Sequence, residues 1–132
     1  MSAAQNRAAT KRVFDGLSRG DLAAPQKLLG GKLKQNAAEG ARAAKAAFPD
    51  LHVHLDDVIA EGNKVVARWT AVGTHKGAGK HSLFGSVKPT GRQFRTSGIT
   101  ILRFENGRVA ETWGVTDELS VARGLGLIRK RA

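Results

Sequence analysis

The residues best placed to do chemistry lie near the end of the chain, in the stretch Gly107-Arg108-Val109-Ala110-Glu111-Thr112-Trp113-Gly114-Val115-Thr116-Asp117. Asn106-Gly107 predicts a two-residue hairpin turn, because both residue types tolerate positive φ. In the strand that follows, alternation puts Val109, Glu111, Trp113, Val115 and Asp117 on one face, with Arg108, Ala110, Thr112 and Thr116 on the other. Two carboxylates among large apolar groups fit neither a solvated face nor a pure core. They fit the wall of a pocket with an ionisable group set in it. Burial beside Trp113 and Val115 would raise an aspartate's pKa toward working pH, since desolvation disfavours the charged form. Asp117 has a second reading as a helix cap, because strand gives way to helix there. No Glu or Gln follows three residues on, so there is no capping box. Glu111 and Asp117 are six residues apart, about 20 Å along an extended strand, and do not form a carboxylate dyad. Glu111 either faces a ligand or pairs with a strand arginine such as Arg103.

Trp69 and Trp113 are core or pocket wall, with indole N–H groups able to reach a ligand. His75 ends a long strand and begins a loop, a position for substrate contact. Phe14, on the first helix, is placed to close the pocket. His52 and His54 share a strand face, but no third ligand is evident, so no metal site is expected. The loop from Lys76 to Lys88 holds Gly77, Gly79 and Gly85 without a phosphate-loop pattern. It reads as a plain loop, or as a lid or dimer contact.

The elements that must hold these residues divide the chain in two. Asn6–Arg19 carries Val13, Phe14 and Leu17 on one helical stripe, with Ala9 and Thr10 a turn earlier, and Gly20 ends it. Asp21 is a candidate N-cap for a second helix toward Leu29, with Pro25 near its first turn. Gly30-Gly31 breaks the chain, Ala37–Phe48 is alanine-rich and helical, and Pro49-Asp50 stops it. Strands follow. Leu51, Val53 and Leu55 alternate with polar residues, Val58-Ile59 continue, and Glu61-Gly62-Asn63 turns. Lys64–Thr74 puts Val65, Ala67, Trp69 and Ala71 on one face. The segment His75–Gly91 has no period and reads as an excursion between long strands. In Gln93–Phe104, Phe94, Thr96, Thr100, Leu102 and Phe104 share one face, opposite Ile99 and Ile101. Arg108–Thr116 is the last strand, and Asp117–Gly124 a short helix. Helices followed by an antiparallel meander predict an α+β domain, with helices on one face of a curved sheet enclosing a conical cavity.

The 132 residues are expected to form one domain spanning 1–132. The chain has no cysteine, which excludes disulfides, thiolate metal sites and a cysteine nucleophile. No apolar run approaches the roughly 20 residues that span a bilayer, and the polar, Ala-rich start lacks a secretory pattern. A cytoplasmic location without membrane partners is the expectation. The net charge of +11 is uneven. Gly73–Arg103 contains Lys76, Lys80, Lys88, Arg92, Arg95 and Arg103 and no acidic residue, and Arg129-Lys130-Arg131 adds to the excess. That field attracts anions, whether nucleic acid, acidic ligands or acidic proteins, or else marks a simply cationic surface. No zinc-finger spacing and no aromatic RNA-binding strand signature is present.

Phe48-Pro49-Asp50-Leu51, then Ile59-Ala60-Glu61-Gly62-Asn63-Lys64-Val65-Val66-Ala67-Arg68-Trp69, Gly73-Thr74-His75-Lys76-Gly77, Pro89-Thr90-Gly91 and Phe104–Glu111 with Trp113 and Asp117 form an ordered series. In order and spacing it resembles the SnoaL-like polyketide cyclases, or ester cyclases, of the nuclear-transport-factor-2-like superfamily, over roughly residues 48–125. The resemblance implies a cone-shaped α+β fold, often dimeric. It also implies an intramolecular aldol ring closure without metal or organic cofactor, in which the aspartate matching Asp117 is the acid/base. A CH between carbonyls is already acidic, so one carboxylate in a dry pocket suffices to move its proton. Two departures stand out. The stretch Gly30–Asn36, where relatives carry an Asp/His-containing segment, is short and has neither. The chain also lacks tyrosine, which excludes the tyrosine oxyanion hole of ketosteroid isomerases and leaves glutamate or histidine to replace it.

The leading expectation is therefore a cyclase or isomerase for a hydrophobic, carbonyl-containing small molecule. Asp117 is its acid/base, and Trp113, Trp69, His75, Phe14 and Glu111 shape the substrate site. The alternative is a non-catalytic dimeric binding or accessory module whose basic surface recruits an anionic partner. Non-specific nucleic-acid binding is a third reading, marked by affinity that falls steeply with salt.

Overall fold

A computed structural model describes residues 2–81 and 85–128. Residues 82–84 of the glycine-rich loop and the basic tail Arg129-Lys130-Arg131 lie outside the described residues. Three helices, α1 (Ala3–Arg19), α2 (Ala23–Leu28) and α3 (Gly31–Ala47), precede strands β1 (His52–Glu61) and β2 (Lys64–Thr74). A small hairpin of β3 (Gly79–His81) and β4 (Gly85–Val87) follows, then β5 (Gln93–Glu105), β6 (Arg108–Thr116) and α4 (Glu118–Gly124). The long strands form one antiparallel sheet in the order β1-β2-β5-β6, and β3-β4 forms a separate two-stranded one. No described helix is long and apolar enough to cross a membrane.

Local chemistry sets the boundaries. A capping box between Ser2 and Gln5 starts α1 three residues before the expected Asn6, satisfying amides that would otherwise lack partners. Gly20 ends the helix at φ 75°, a conformation open to glycine without strain. Asp21 accepts from the Ala23 amide at 3.1 Å, although α2 itself begins after Leu22. Gly30-Gly31 separates α2 from α3 as expected, but α3 starts at Gly31 rather than Ala37 and absorbs Lys32–Asn36, most of which are good helix formers. The supposed short polar connection is thus the first turns of α3. Asn106 and Gly107 take φ of 51° and 78°, the signature of the expected type I′ turn. The excursion His75–Gly91 is not wholly irregular, because it contains the β3–β4 hairpin. Strands of three residues are too short to show a period.

The register corrects one expectation that matters for function. Arg103 pairs with Glu111, but Phe104 pairs with Val109, so Ala110 is an extra residue in β6. Such a bulge shifts the side-chain phase by one, and the alternation reverses across it. Val109 is fully buried, whereas Glu111, Trp113 and Val115 point away from the helices, with Val115 76% exposed. β1 has a similar irregularity between Leu55 and Asp57.

The core comes in two parts. Ala9, Leu29, Val65, Ala67, Leu102, Phe104 and Val109 close one end of the sheet beneath α1 and α2. Ala71, Phe94 and Leu125 pack at the other end, with Phe48 and Leu51 against them. Between α3 and the concave face of the sheet the packing leaves open space.

Candidate functional site

Two adjoining cavities occupy this space. One, of about 470 Å³, is lined by Val13, Phe14, Leu33, Ala37, Thr100 and Leu102 among others. The second, of about 640 Å³, is lined by Phe48, His75, Phe94, Thr96, Thr116 and Glu118 among others. Val53 and Trp69 belong to both. These volumes fall in the range of small-molecule sites.

Trp69 forms the floor where the cavities meet. Its indole N–H donates to Thr100 Oγ1 at 3.1 Å. Gly98 lies opposite it on β5, and a Cβ there would collide with the six-membered ring. Glycine at this position lets the indole lie across the strand. Phe14 lines the first cavity from α1, the place expected for it.

His75 is 1% exposed and faces the second cavity. Its backbone is tied on both sides: its N–H donates to Arg92 O, and its carbonyl accepts from Gly91 N–H, each at 2.9 Å. The Thr90 amide donates to His75 Nδ1 at 3.2 Å, and Thr90 Oγ1 lies 3.1 Å from the same nitrogen. A backbone N–H can only donate, so Nδ1 accepts and the ring proton is assigned to Nε2. The imidazole also packs against Phe48, with ring centroids 5.5 Å apart. The site thus holds an oriented histidine with its Nδ1 edge occupied by the loop.

Asp117 lies elsewhere. Its side chain accepts from Ser120 N at 3.1 Å and from the Ser120 hydroxyl at 2.5 Å, capping α4. It is exposed and lies on the opposite side of the sheet from the cavity floor. The expected burial beside Trp113 and Val115, with a raised pKa, is corrected: the Ser120 hydroxyl, then the Ser120 amide, hold its pKa below the ordinary carboxylate value. Its backbone still serves the site, because the Asp117 carbonyl accepts from Thr96 Oγ1 at 2.7 Å. The next residue, Glu118, is half-buried in the first turn of α4 and lines the second cavity. Sequence reasoning passed over it.

Trp113 and Glu111 are also brought to the outer face rather than to the cavity. Glu111 accepts from Arg103 Nε at 3.1 Å, the strand pairing expected as its alternative. Lys64 Nζ stands 5.8 Å from the centre of the Trp113 ring, a cation–π contact. Together with Arg68, Ile99, Ile101 and Val115, Trp113 lines an apolar dish of about 490 Å³ on the back of the sheet. His52 and His54 are exposed, and among the described residues no cluster of three His, Cys, Asp or Glu side chains suits a metal.

Solved structures share the architecture. AclR of Streptomyces galilaeus, provisionally named a hydroxylase, is 24% identical and superposes with a TM-score of 0.80, covering 97% of this chain and 100% of its own. TsrD of Streptomyces laurentii is 24% identical, with a TM-score of 0.83 over 97% of this chain and 99% of its own. IdmH of Streptomyces antibioticus, provisionally named a polyketide cyclase, is 23% identical, with a TM-score of 0.75 over 92% and 99%. No curated protein matches the sequence. The family model for SnoaL-like polyketide cyclases matches residues 5–125, nearly the whole cone from α1 to α4, and the chain belongs to that family.

Proposed function

We propose that the protein catalyses cofactor-independent proton transfer on a hydrophobic, carbonyl-rich small molecule, as a cyclase or related isomerase, in the space between α3 and the sheet. One observation carries the reading: a buried, oriented histidine and a half-buried carboxylate, His75 and Glu118, line the same apolar cavity. Glu118 takes the proton from a CH between two carbonyls. The negative charge passes to a carbonyl oxygen, which accepts a hydrogen bond from His75 Nε2–H. In a cyclase the carbanion carbon then bonds to the carbon of a third, more distant carbonyl of the same molecule, and the proton on Glu118 returns to the resulting alkoxide. Asp117, which the resemblance makes the acid/base, acts in this reading as the cap that sets α4, and hence Glu118, in place. A carboxylate held by two donors and facing solvent is a weak base. The dish of Ile99, Trp113 and Val115 is assigned to homodimer formation.

Benzoylacetone, a 1,3-diketone, is the probe. Exchange of its central protons with deuterated solvent, followed by NMR at mildly acidic pD, should accelerate with the wild type. Glu118→Gln should slow the catalysed exchange by at least about 100-fold, and Asp117→Asn should leave it within a small factor at temperatures where the variant is folded. Binding without acceleration would favour the accessory-module reading, which the +11 net charge supports. A loss of exchange confined to Asp117→Asn would return the acid/base role to Asp117.

A further inference from the structure

The two cavities are parts of one trough. Leu33, Asn36 and Ala37 of α3 face the first, and Gly40, Ala44 and Ala47 face the second. These positions stand at i, i+3, i+4, i+7, i+11 and i+14, one face of the helix, while Ala43 and Ala46 reach the second cavity from outside that face. The same side of α3 therefore roofs both cavities, and the shared residues Val53 and Trp69 lie beneath it. From Leu33 to Ala47 the roof runs about 21 Å. Its middle is alanine and glycine, so no long side chain descends to divide the space. At the far end α3 is pinned, since the amides of Lys76 and Gly77 donate to Ala47 O at 3.0 and 3.1 Å.

Polar groups are segregated along this trough. The end near β4 and α4 holds His75 and Glu118. The end beneath α1 has no titratable side chain, and its walls are Val13, Leu17, Leu29, Leu33 and Leu102. The indole N–H of Trp69, at the junction, is already satisfied by Thr100. A molecule filling only the His75 end would leave that apolar wall to water.

We infer that the ligand is elongated and binds in one orientation: a carbonyl-bearing head at His75 and Glu118, and an apolar tail passing over Trp69 into the end between Leu33 and Leu102. The head placement rests on the proposed function; the tail placement rests on the trough alone.

The test is calorimetric titration with benzoylacetone and with its ring-substituted alkyl homologues bearing tails of about three and about eight carbons, each entering methylene expected to tighten binding roughly fourfold. Ala37→Phe, which fills the tail end, should lose the gain from the longer tail when each ligand is compared with benzoylacetone on the same variant. In a Trp113→Phe background Trp69 is the one remaining tryptophan, and its emission should shift with the long-tailed ligand and not with benzoylacetone. This readout needs no change in the trough. Binding of benzoylacetone with no gain from the tail, or a gain that survives Ala37→Phe with Trp69 silent, overturns the orientation and leaves the proposed function standing. Failure of every diketone to bind overturns both.

Discussion

The two faces of the β5–β6 hairpin are made of similar residues and do opposite things. On the concave side Leu102 is 2% exposed, with Thr100 and Thr112 beside it on the cavity wall. On the convex side Ile99, Trp113 and Val115 are exposed. Composition does not distinguish the faces; phase does. One extra residue, Ala110, turns Glu111, Trp113 and Val115 outward while keeping Val109 in the core. Charge follows the same division. On the convex side Arg103 bonds both Glu105 and Glu111 at 3.1 Å, Arg68 lies 3.7 Å from Asp56, and Lys64 stands over Trp113. An apolar patch ringed by charged side chains is suited to meeting a second protein surface. The concave face is suited to holding a small molecule.

The largest way to break this contrast is to substitute one residue on each face. Leu102→Ala should cost about 2–5 kcal/mol of unfolding free energy in a denaturant titration, since the cavity it leaves cannot fully collapse. Val115→Lys, measured at low protein concentration, should stay within about 0.5 kcal/mol of the wild type. Its effect should appear instead in sedimentation, as loss of the homodimer proposed for this face. A Val115→Lys chain that unfolds early as a monomer would show that the convex face belongs to the core.

A smaller effect tests the floor of the trough. Gly98→Ala places a methyl group where the Trp69 ring lies. Displacing the indole should cost about 1–3 kcal/mol, break the bond to Thr100 and shift tryptophan emission. Unchanged emission would mean that the ring does not depend on Gly98 for its place.

Most of the architecture was legible in the sequence because long elements have strong periods. The faces of β2 and β5 were readable from Val65, Ala67, Trp69 and Ala71, and from Phe94, Thr96, Leu102 and Phe104. The Asn106-Gly107 turn was readable from its need for positive φ. In β1 the bulge even leaves a trace: the apolar positions run 51, 53, 55 and then 58 and 60, a jump in phase. In β6 the same device leaves none, because the residues turned outward, Trp113 and Val115, are as apolar as core residues. The alternation therefore predicts burial on the face that is exposed, and it points to Asp117, an exposed cap, and not to Glu118, which lines the cavity. The β3–β4 hairpin was illegible for another reason: three-residue strands rich in glycine carry no period. His75, at a strand end, and Phe14, on a helix stripe, stand where their elements put them, Phe14 on the first cavity and His75 on the second.

The smallest prediction separates a cap from a pocket acid by sign. Asp117 is held below its ordinary pKa by Ser120, and Asp50 likewise by the hydroxyl and amide of Thr74. A carboxyl whose pKa is lower in the folded than in the unfolded chain stabilises the fold fully above the unfolded value of about 3.9. That contribution fades as pH falls through the folded value. The melting temperature of Asp117→Asn should therefore lie below that of the wild type at neutral pH, and the gap should close in acid, where both side chains are uncharged. Added salt should narrow it, because the cap is exposed. A desolvated acid facing a cavity would behave in reverse: its raised pKa would make the charged form a liability, and Asn would match or exceed wild-type stability at neutral pH. A gap that opens toward acid, or an asparagine variant that gains stability at neutral pH, would place Asp117 on the concave side after all, and with it the acid/base role.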